Sequence, residues 1–178
     1  MKHHAFSLEP FSSAMPLPIR ITGSVFRDSD LLTFRSTLSG LPADAVIPEA
    51  ADRAVRKHHL WEETCFELFL ARKGSTPYWE FNLSAAGHWN AYRFSDYRQG
   101  MQEEETFGTL PFEVQRTVRS VTVTLEIELD FMHPGDHAIE AGVAAVVRHG
   151  GGTMTYWALT HCGPQPDFHR RESFLLTV

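Results

Sequence analysis

Leu60-Trp-Glu-Glu-Thr-Cys-Phe-Glu-Leu-Phe-Leu70 and Tyr78-Trp-Glu-Phe-Asn-Leu-Ser-Ala-Ala-Gly-His-Trp-Asn-Ala-Tyr-Arg-Phe94 are the two runs whose reading decides the fold. Both are rich in aromatic and aliphatic residues spaced two apart. Lys73-Gly74-Ser75-Thr76 and Ala85-Ala86-Gly87 supply the turn residues. The pattern predicts a meander of three strands, Phe66–Ala71, Tyr78–Ser84 and His88–Phe94. With Ala71 opposite Tyr78 and Asn82 opposite Trp89, one face carries Phe66, Leu68, Leu70, Trp79, Phe81, Leu83, Tyr92 and Phe94, which is a core layer. The other carries Glu67, Phe69, Tyr78, Glu80, Asn82, Trp89 and Arg93, with Glu80 and Arg93 as diagonal neighbours able to pair. A slip of one residue at either turn would exchange the faces of the strand beyond it.

Outward from the meander the same period recurs. In Val121-Thr-Val-Thr-Leu-Glu-Ile-Glu-Leu129 the odd positions are apolar and the even ones polar, the mark of a strand with one wet face. Pro134-Gly135-Asp136 and Gly150–Gly152 read as turns around a strand from Ala138 to Arg148 and another from Thr153 to Leu159. Further strands are expected at Ile19–Arg27, Leu31–Ser39, Phe112–Ser120 and Ser173–Val178. About ten short strands with Gly, Pro and Asp turns predict an all-β fold, an antiparallel β-sandwich of jelly-roll type in a single domain over residues 1–178. One short helix or helical turn is expected at Pro48–His58, where Ala51, Ala54 and Val55 stand at helical spacing. Arg98–Pro111 is the expected long loop.

Charge and composition exclude several functions. A net charge of −6 without any Lys/Arg cluster speaks against a nucleic-acid partner, which needs a basic footprint. No apolar run approaches the ~20 residues of a membrane span, and the N-terminus lacks the apolar core of a secretory signal. The expectation is a bacterial, cytoplasmic protein with its two cysteines, Cys65 and Cys162, reduced. No HExxH, CxxC or EF-hand spacing occurs, so no metal or other cofactor is expected, with calcium as an alternative that oxygen-rich loops leave open. Oligomeric state has no signature in the chain.

Two segments hold the chemistry. On the polar face of the meander, Trp89 and Phe69 offer flat apolar surfaces, and Asn82 and Glu67 offer hydrogen-bonding groups. Sugars are gripped this way, with rings on their C–H faces and amides or carboxylates on their hydroxyls; desolvated polar groups left unpaired penalise wrong ligands. The second segment, Tyr156 to Phe174, concentrates His161, Cys162, Asp167, His169, Arg170 and Arg171 in a Gly/Pro loop. His161 and His169 with a carboxylate could alternatively serve a hydrolase or isomerase.

The meander, together with Asp96-Tyr-Arg-Gln-Gly-Met101 and Ala158-Leu-Thr-His-Cys-Gly-Pro-Gln-Pro-Asp-Phe-His-Arg-Arg-Glu-Ser-Phe174, resembles an uncharacterised bacterial subgroup of the DOMON-like domains, and is similar to the related family-nine carbohydrate-binding modules. The resemblance implies a sandwich that binds a sugar or a haem, with tryptophans flanking a sugar; Trp61 and Trp89 are the candidates. Haem-binding relatives use methionine and histidine, and Met101, Met132 and Met154 are available. The expected activity is therefore non-catalytic binding of a small carbohydrate or sugar-like metabolite. Trp61 and Trp89 would stack on it, and Glu62, Glu67, Asn82, His161, His169 and Arg170 would bond to it; a haem-binding domain is the alternative.

Overall fold

The computed structural model describes residues 2–12, 18–132 and 137–178. In chain order the strands are β1 (Lys2–Ser7), β2 (Glu9–Pro10), β3 (Arg20–Asp28), β4 (Leu31–Ser39), β5 (Ala45–Val46), β6 (Cys65–Arg72) and β7 (Tyr78–Ser84). Then follow β8 (Trp89–Phe94), β9 (Gln102–Glu103), β10 (Phe112–Arg116), β11 (Ser120–Glu128), β12 (Ile139–His149), β13 (Met154–Ala158) and β14 (Leu176–Thr177). They form two antiparallel sheets. One has the order β1-β3-β4-β11-β10; the other runs β2-β13-β12-β6-β7-β8-β9, with β5 and β14 also paired to β12. The chain is thus an all-β antiparallel sandwich, as the strand periodicity predicts. Among the described residues no helix is long and apolar enough to cross a membrane. The expected Pro134-Gly135-Asp136 turn lies outside the described residues.

The five-stranded sheet has the one-sided pattern of the Val121–Leu129 run. Ile21, Val25, Leu32, Phe34, Leu38, Val121, Val123, Leu125 and Ile127 are buried between the sheets. Arg35 and Glu126 on the far face are exposed, as an antiparallel sheet with one solvated side allows. The larger sheet is different. Every residue of β7, and all of β6 except its last, is buried. Phe66, Leu68, Leu70, Trp79, Phe81 and Leu83 face the inner core; Phe69, Ala71, Tyr78, Tyr92, Phe94, Ala144 and Val146 belong to a second apolar cluster on the outer face. Loops cover that face, so alternation in these strands sorts two buried layers rather than a wet side from a dry one.

The first hairpin has the expected register: Leu70 lies opposite Trp79 and Phe66 opposite Leu83. The second is slipped by one. Asn82 faces Asn90 and Leu83 faces Trp89. The consequence is a full exchange of faces in β8. Trp89 and Ala91 belong to the inner core, and Asn90, Tyr92 and Phe94 to the outer face. The expected Glu80–Arg93 pair does not form; the Arg93 guanidinium lies 5.7 Å from the Trp79 ring on the opposite side. The cause is the turn. Gly87 (φ 97°) and the bonds Gly87 N–H to Ser84 C=O and Ser84 N–H to His88 C=O make the connection one residue longer than the expected pairing assumed.

The helix expected at Pro48–His58 is absent, and the segment runs extended along the start of β8. Trp89 N–H donates to the Val55 carbonyl and Lys57 N–H to the Trp89 carbonyl. Ala54 and Val55 are exposed, so a helix here would have had no apolar stripe to bury, and a short helix without tertiary packing is marginal. Arg56 fixes the arrangement. Its guanidinium lies 4.4 Å over the Trp89 ring and donates to Asn90 Oδ1 (2.9 Å) and to the carbonyls of Glu104 (3.0 Å) and Phe107 (2.6 Å).

Candidate functional site

The outer face of the larger sheet is not filled completely. Between it and its covering loops lies a cavity of roughly 460 Å³, lined by Trp61, Glu62, Glu67, Glu80, Phe94, Arg98, Met101, Val146, Met154, Tyr156, Pro166, Phe168 and His169, a size typical of small-molecule sites. Its floor follows from strand alternation. Glu67 and Phe69 on β6, Tyr78, Glu80 and Asn82 on β7, Tyr92 and Phe94 on β8, Val146 on β12 and Tyr156 on β13 share one face, since Glu67 pairs with Asn82, Phe69 with Glu80, Glu80 with Tyr92 and Val146 with Tyr156.

Two loops make the roof. The β8–β9 loop curls back because Asp96 caps Tyr97 N–H (2.6 Å), Arg98 adopts a left-handed conformation (φ 52°), and Gly100 (φ 64°) passes where a Cβ would meet Ser95 Oγ at 2.4 Å. The loop between β13 and β14 is anchored at two points. Phe174 seats against Gly142, where a Cβ would come within 2.7 Å of its ring, and Arg171 binds Glu140 (2.7 Å) and the Arg72 carbonyl (2.8 Å). Asp167 ties the two loops together. It accepts from Tyr97 Oη at 2.5 Å and from Arg98 at 3.0 and 3.3 Å, and lies 3.4 Å from Arg170 Nε. Burial opposes ionisation of Asp167, but these donors hold its carboxyl below the usual aspartate value.

The floor carries two buried carboxyls. Glu80 accepts from Asn82 Nδ2 at 2.7 Å, and its other oxygen stands 3.8 Å from His169 Nε2. Glu67, 3% exposed, lines the cavity and makes no hydrogen bond within the described residues. Burial pushes the Glu80 carboxyl up to about 7, against the pull of Asn82 and Arg98. Burial and then the Glu80 charge push Glu67 well above the ordinary glutamate range. Near neutral pH the Glu80 carboxyl is thus divided between its protonated and ionised forms, and Glu67 beside it is displaced in the same direction.

A chain of neutral groups flanks them. The Tyr78 hydroxyl accepts the Arg98 backbone N–H (3.2 Å) and lies 2.8 Å from His169 Nδ1. Burial raises the Tyr78 phenol to about 12 and lowers His169 to about 4, so at neutral pH the phenol keeps its proton and the imidazole is uncharged. With Tyr78 as the donor to Nδ1, the imidazole proton lies on Nε2, turned toward Glu80. Phe94 and Phe69 hold the ring edge-on at 5.1 and 5.3 Å.

Of the residues expected at a ligand site, the structure brings Trp61, Glu62, Glu67 and His169 together in the cavity. Asn82 lies beneath as the support of Glu80. Three fall elsewhere. Trp89 is in the inner core because of the register slip. His161 bonds the Glu9 carbonyl (2.9 Å) and packs edge-on against Phe11. Arg170 lines a neighbouring depression with Tyr97, Gly163 and Asp167. The alternation that exposes Glu67 also places Glu80 and Tyr78 on this face. Phe94 is lost to the slip, and Arg98 has no signal short of the loop's own fold. Among the described residues no group of three or more His, Cys, Asp or Glu converges as a metal site would require.

No protein-family model and no curated protein matches the chain. Its fold is similar to a crystal structure from Bacteroides uniformis described as a "putative carbohydrate-binding protein": the TM-score is 0.71 at 12% identity, over 96% of this chain and 83% of that one. At that identity the likeness speaks to the fold.

Proposed function

We propose that the cavity binds a carbohydrate or sugar-like metabolite and releases it unchanged. The observation that carries this reading is the meeting, in one cavity, of aromatic walls (Trp61, Phe94, Tyr156, Phe168) with two buried carboxyls, Glu67 and Glu80. Rings cover the C–H faces of a sugar. A carboxyl displaced to about 7, as Glu80 is, both donates and accepts near neutral pH, as a hydroxyl does. Glu67 in particular makes no hydrogen bond among the described residues, and a ligand hydroxyl would supply one. The described likeness of the fold neighbour and the resemblance to DOMON-like and family-nine modules point the same way. A haem fits the residues less well, since both ring nitrogens of His169, the one imidazole among the described lining residues, are already turned to Tyr78 and Glu80.

An enzymatic reading loses the His161–His169 pair, because His161 does not line the cavity. It gains support from Glu67 and Glu80, since displaced carboxyl pKa values are what acid–base catalysis uses. The test is a titration of tryptophan fluorescence against mono- and oligosaccharides and sugar phosphates. Trp79, Trp89 and Trp157 are all buried in the inner core, so Trp61 is the reporter. A saturable change that disappears in Trp61→Phe, with the ligand recovered intact by mass spectrometry, is expected. Silence from every saccharide in both fluorescence and calorimetry refutes binding, and a converted ligand refutes the non-catalytic reading.

A further inference from the structure

The charge on the cavity wall is one-sided. Glu62, Glu67 and Glu80 line it, and the one guanidinium among the described lining residues, Arg98, is already engaged by Asp167 through two of its nitrogens. His169 is neutral, with Nδ1 held by Tyr78. Glu67 is buried and aimed into the space without a hydrogen bond, and Glu80 has one neutral donor, Asn82. Around these carboxyls stand the rings of Trp61, Phe94, Tyr156 and Phe168. A neutral hydroxyl can satisfy a lone pair but leaves the charge of an ionised, desolvated carboxylate uncompensated. A cationic nitrogen removes that charge and is also attracted to aromatic faces.

We propose that the ligand carries a protonated amine, as an amino sugar does, and that the ammonium sits against Glu67 and Glu80 inside the aromatic walls. This rests on the carbohydrate reading above and narrows it. The ammonium donates its N–H groups to the two carboxylates, and the fraction of a proton that Glu80 holds in the empty cavity is released to solvent. The charged and titrating groups around the pair are Arg98, Asp167, His169, Tyr78, Tyr92, Cys65 and Glu62.

The experiment is calorimetry on the full chain at neutral pH with glucosamine, glucose, N-acetylglucosamine and methylammonium. Glucosamine is expected to bind at least about tenfold more tightly than glucose or N-acetylglucosamine, the ratio that ~1.4 kcal/mol from one desolvated charge pair provides. Its binding should release protons, read as a dependence of the heat on buffer ionisation. Glu67→Gln, close in shape to a protonated glutamate, should bring the three sugars within about twofold of one another, a loss of the same tenfold ratio. The exposed Glu105→Gln should keep the preference, and near-UV circular dichroism checks the fold of both variants. Equal binding of the three sugars, or a preference that survives in Glu67→Gln, overturns the amine assignment and leaves the carbohydrate reading standing. Methylammonium binding with no saccharide binding overturns the carbohydrate reading and supports the amine. No heat from any of the four overturns both.

Discussion

Glu80 and His169 face each other across 3.8 Å and are displaced in ways that act oppositely on stability. The Glu80 carboxyl stands at about 7 in the folded protein against an ordinary 4.5. Between those values the native state keeps a proton that the unfolded chain has lost, so this group's contribution to stability falls as pH rises through the window. At about 1.36 kcal/mol per pH unit the fall amounts to about 3 kcal/mol. His169 stands at about 4 against an ordinary 6.5. Between those values the unfolded chain holds the proton and the native state does not, so its contribution rises with pH, again by about 3 kcal/mol. From pH 4.5 to 6.5 the two offset, and Glu67, displaced in the same direction as Glu80, tips the balance toward a fall. Glu80→Gln and His169→Asn should separate them. In urea unfolding at half-unit steps from pH 4 to 7.5, the stability of Glu80→Gln relative to the parent should climb by about 3 kcal/mol between pH 4.5 and 7. That of His169→Asn should decline by a similar amount between pH 4 and 6.5. Subtracting the parent cancels the titrating groups that do not feel this pair; Glu67, which the Glu80 charge pushes up, relaxes toward its ordinary value in Glu80→Gln. Two flat difference curves would mean that the cavity floor is wet enough to leave both groups at their ordinary values, and the burial argument would fail.

Other outcomes follow from packing. Trp89→Ala, which empties a core position, should cost about 3–5 kcal/mol in urea unfolding, whereas Trp61→Ala should cost less than about 1 kcal/mol while abolishing the ligand response. Gly142→Val should force Phe174 off the sheet and speed tryptic cleavage at Arg170 and Arg171 severalfold without unfolding the sandwich, read by limited proteolysis with mass spectrometry. Asp167→Ala should free the Arg98 guanidinium into the cavity and weaken any cationic ligand about tenfold, by calorimetry at low salt, and should lower stability by about 1–3 kcal/mol because the donors of both roof loops lose their acceptor.

How much of this was readable in the chain depends on which forces set each feature. Leu31–Ser39 and Tyr78–Ser84 are strands with the expected limits because their alternation is strong and turn residues bound them. Lys2–Ser7 escaped notice as a strand: only Phe6 in it is buried, and its pairing to β3 is decided by a partner far away in sequence. The 48–58 segment misled because helical spacing of small apolar residues means little where neither Ala54 nor Val55 is buried. Glu67 as a polar residue on the outer face was legible from period two alone. Its lack of a partner was not, for that depends on Arg98, Phe168 and His169, which arrive on loops. The site is thus half strand and half loop, and only the strand half follows a periodicity.

The connection between β7 and β8 carries one more implication. Surface turns ordinarily absorb insertions and deletions, and variation in length concentrates in them. Ala85–His88 has no such latitude, since its length decides whether β8 sends Trp89 and Ala91 inward or Tyr92 and Phe94. Removing one residue there would thrust an indole into the ligand cavity and a tyrosine hydroxyl into the hydrophobic interior. A change of length in this one turn would then wreck core and site together, so relatives that keep this cavity should keep the length of this turn even where its residues differ.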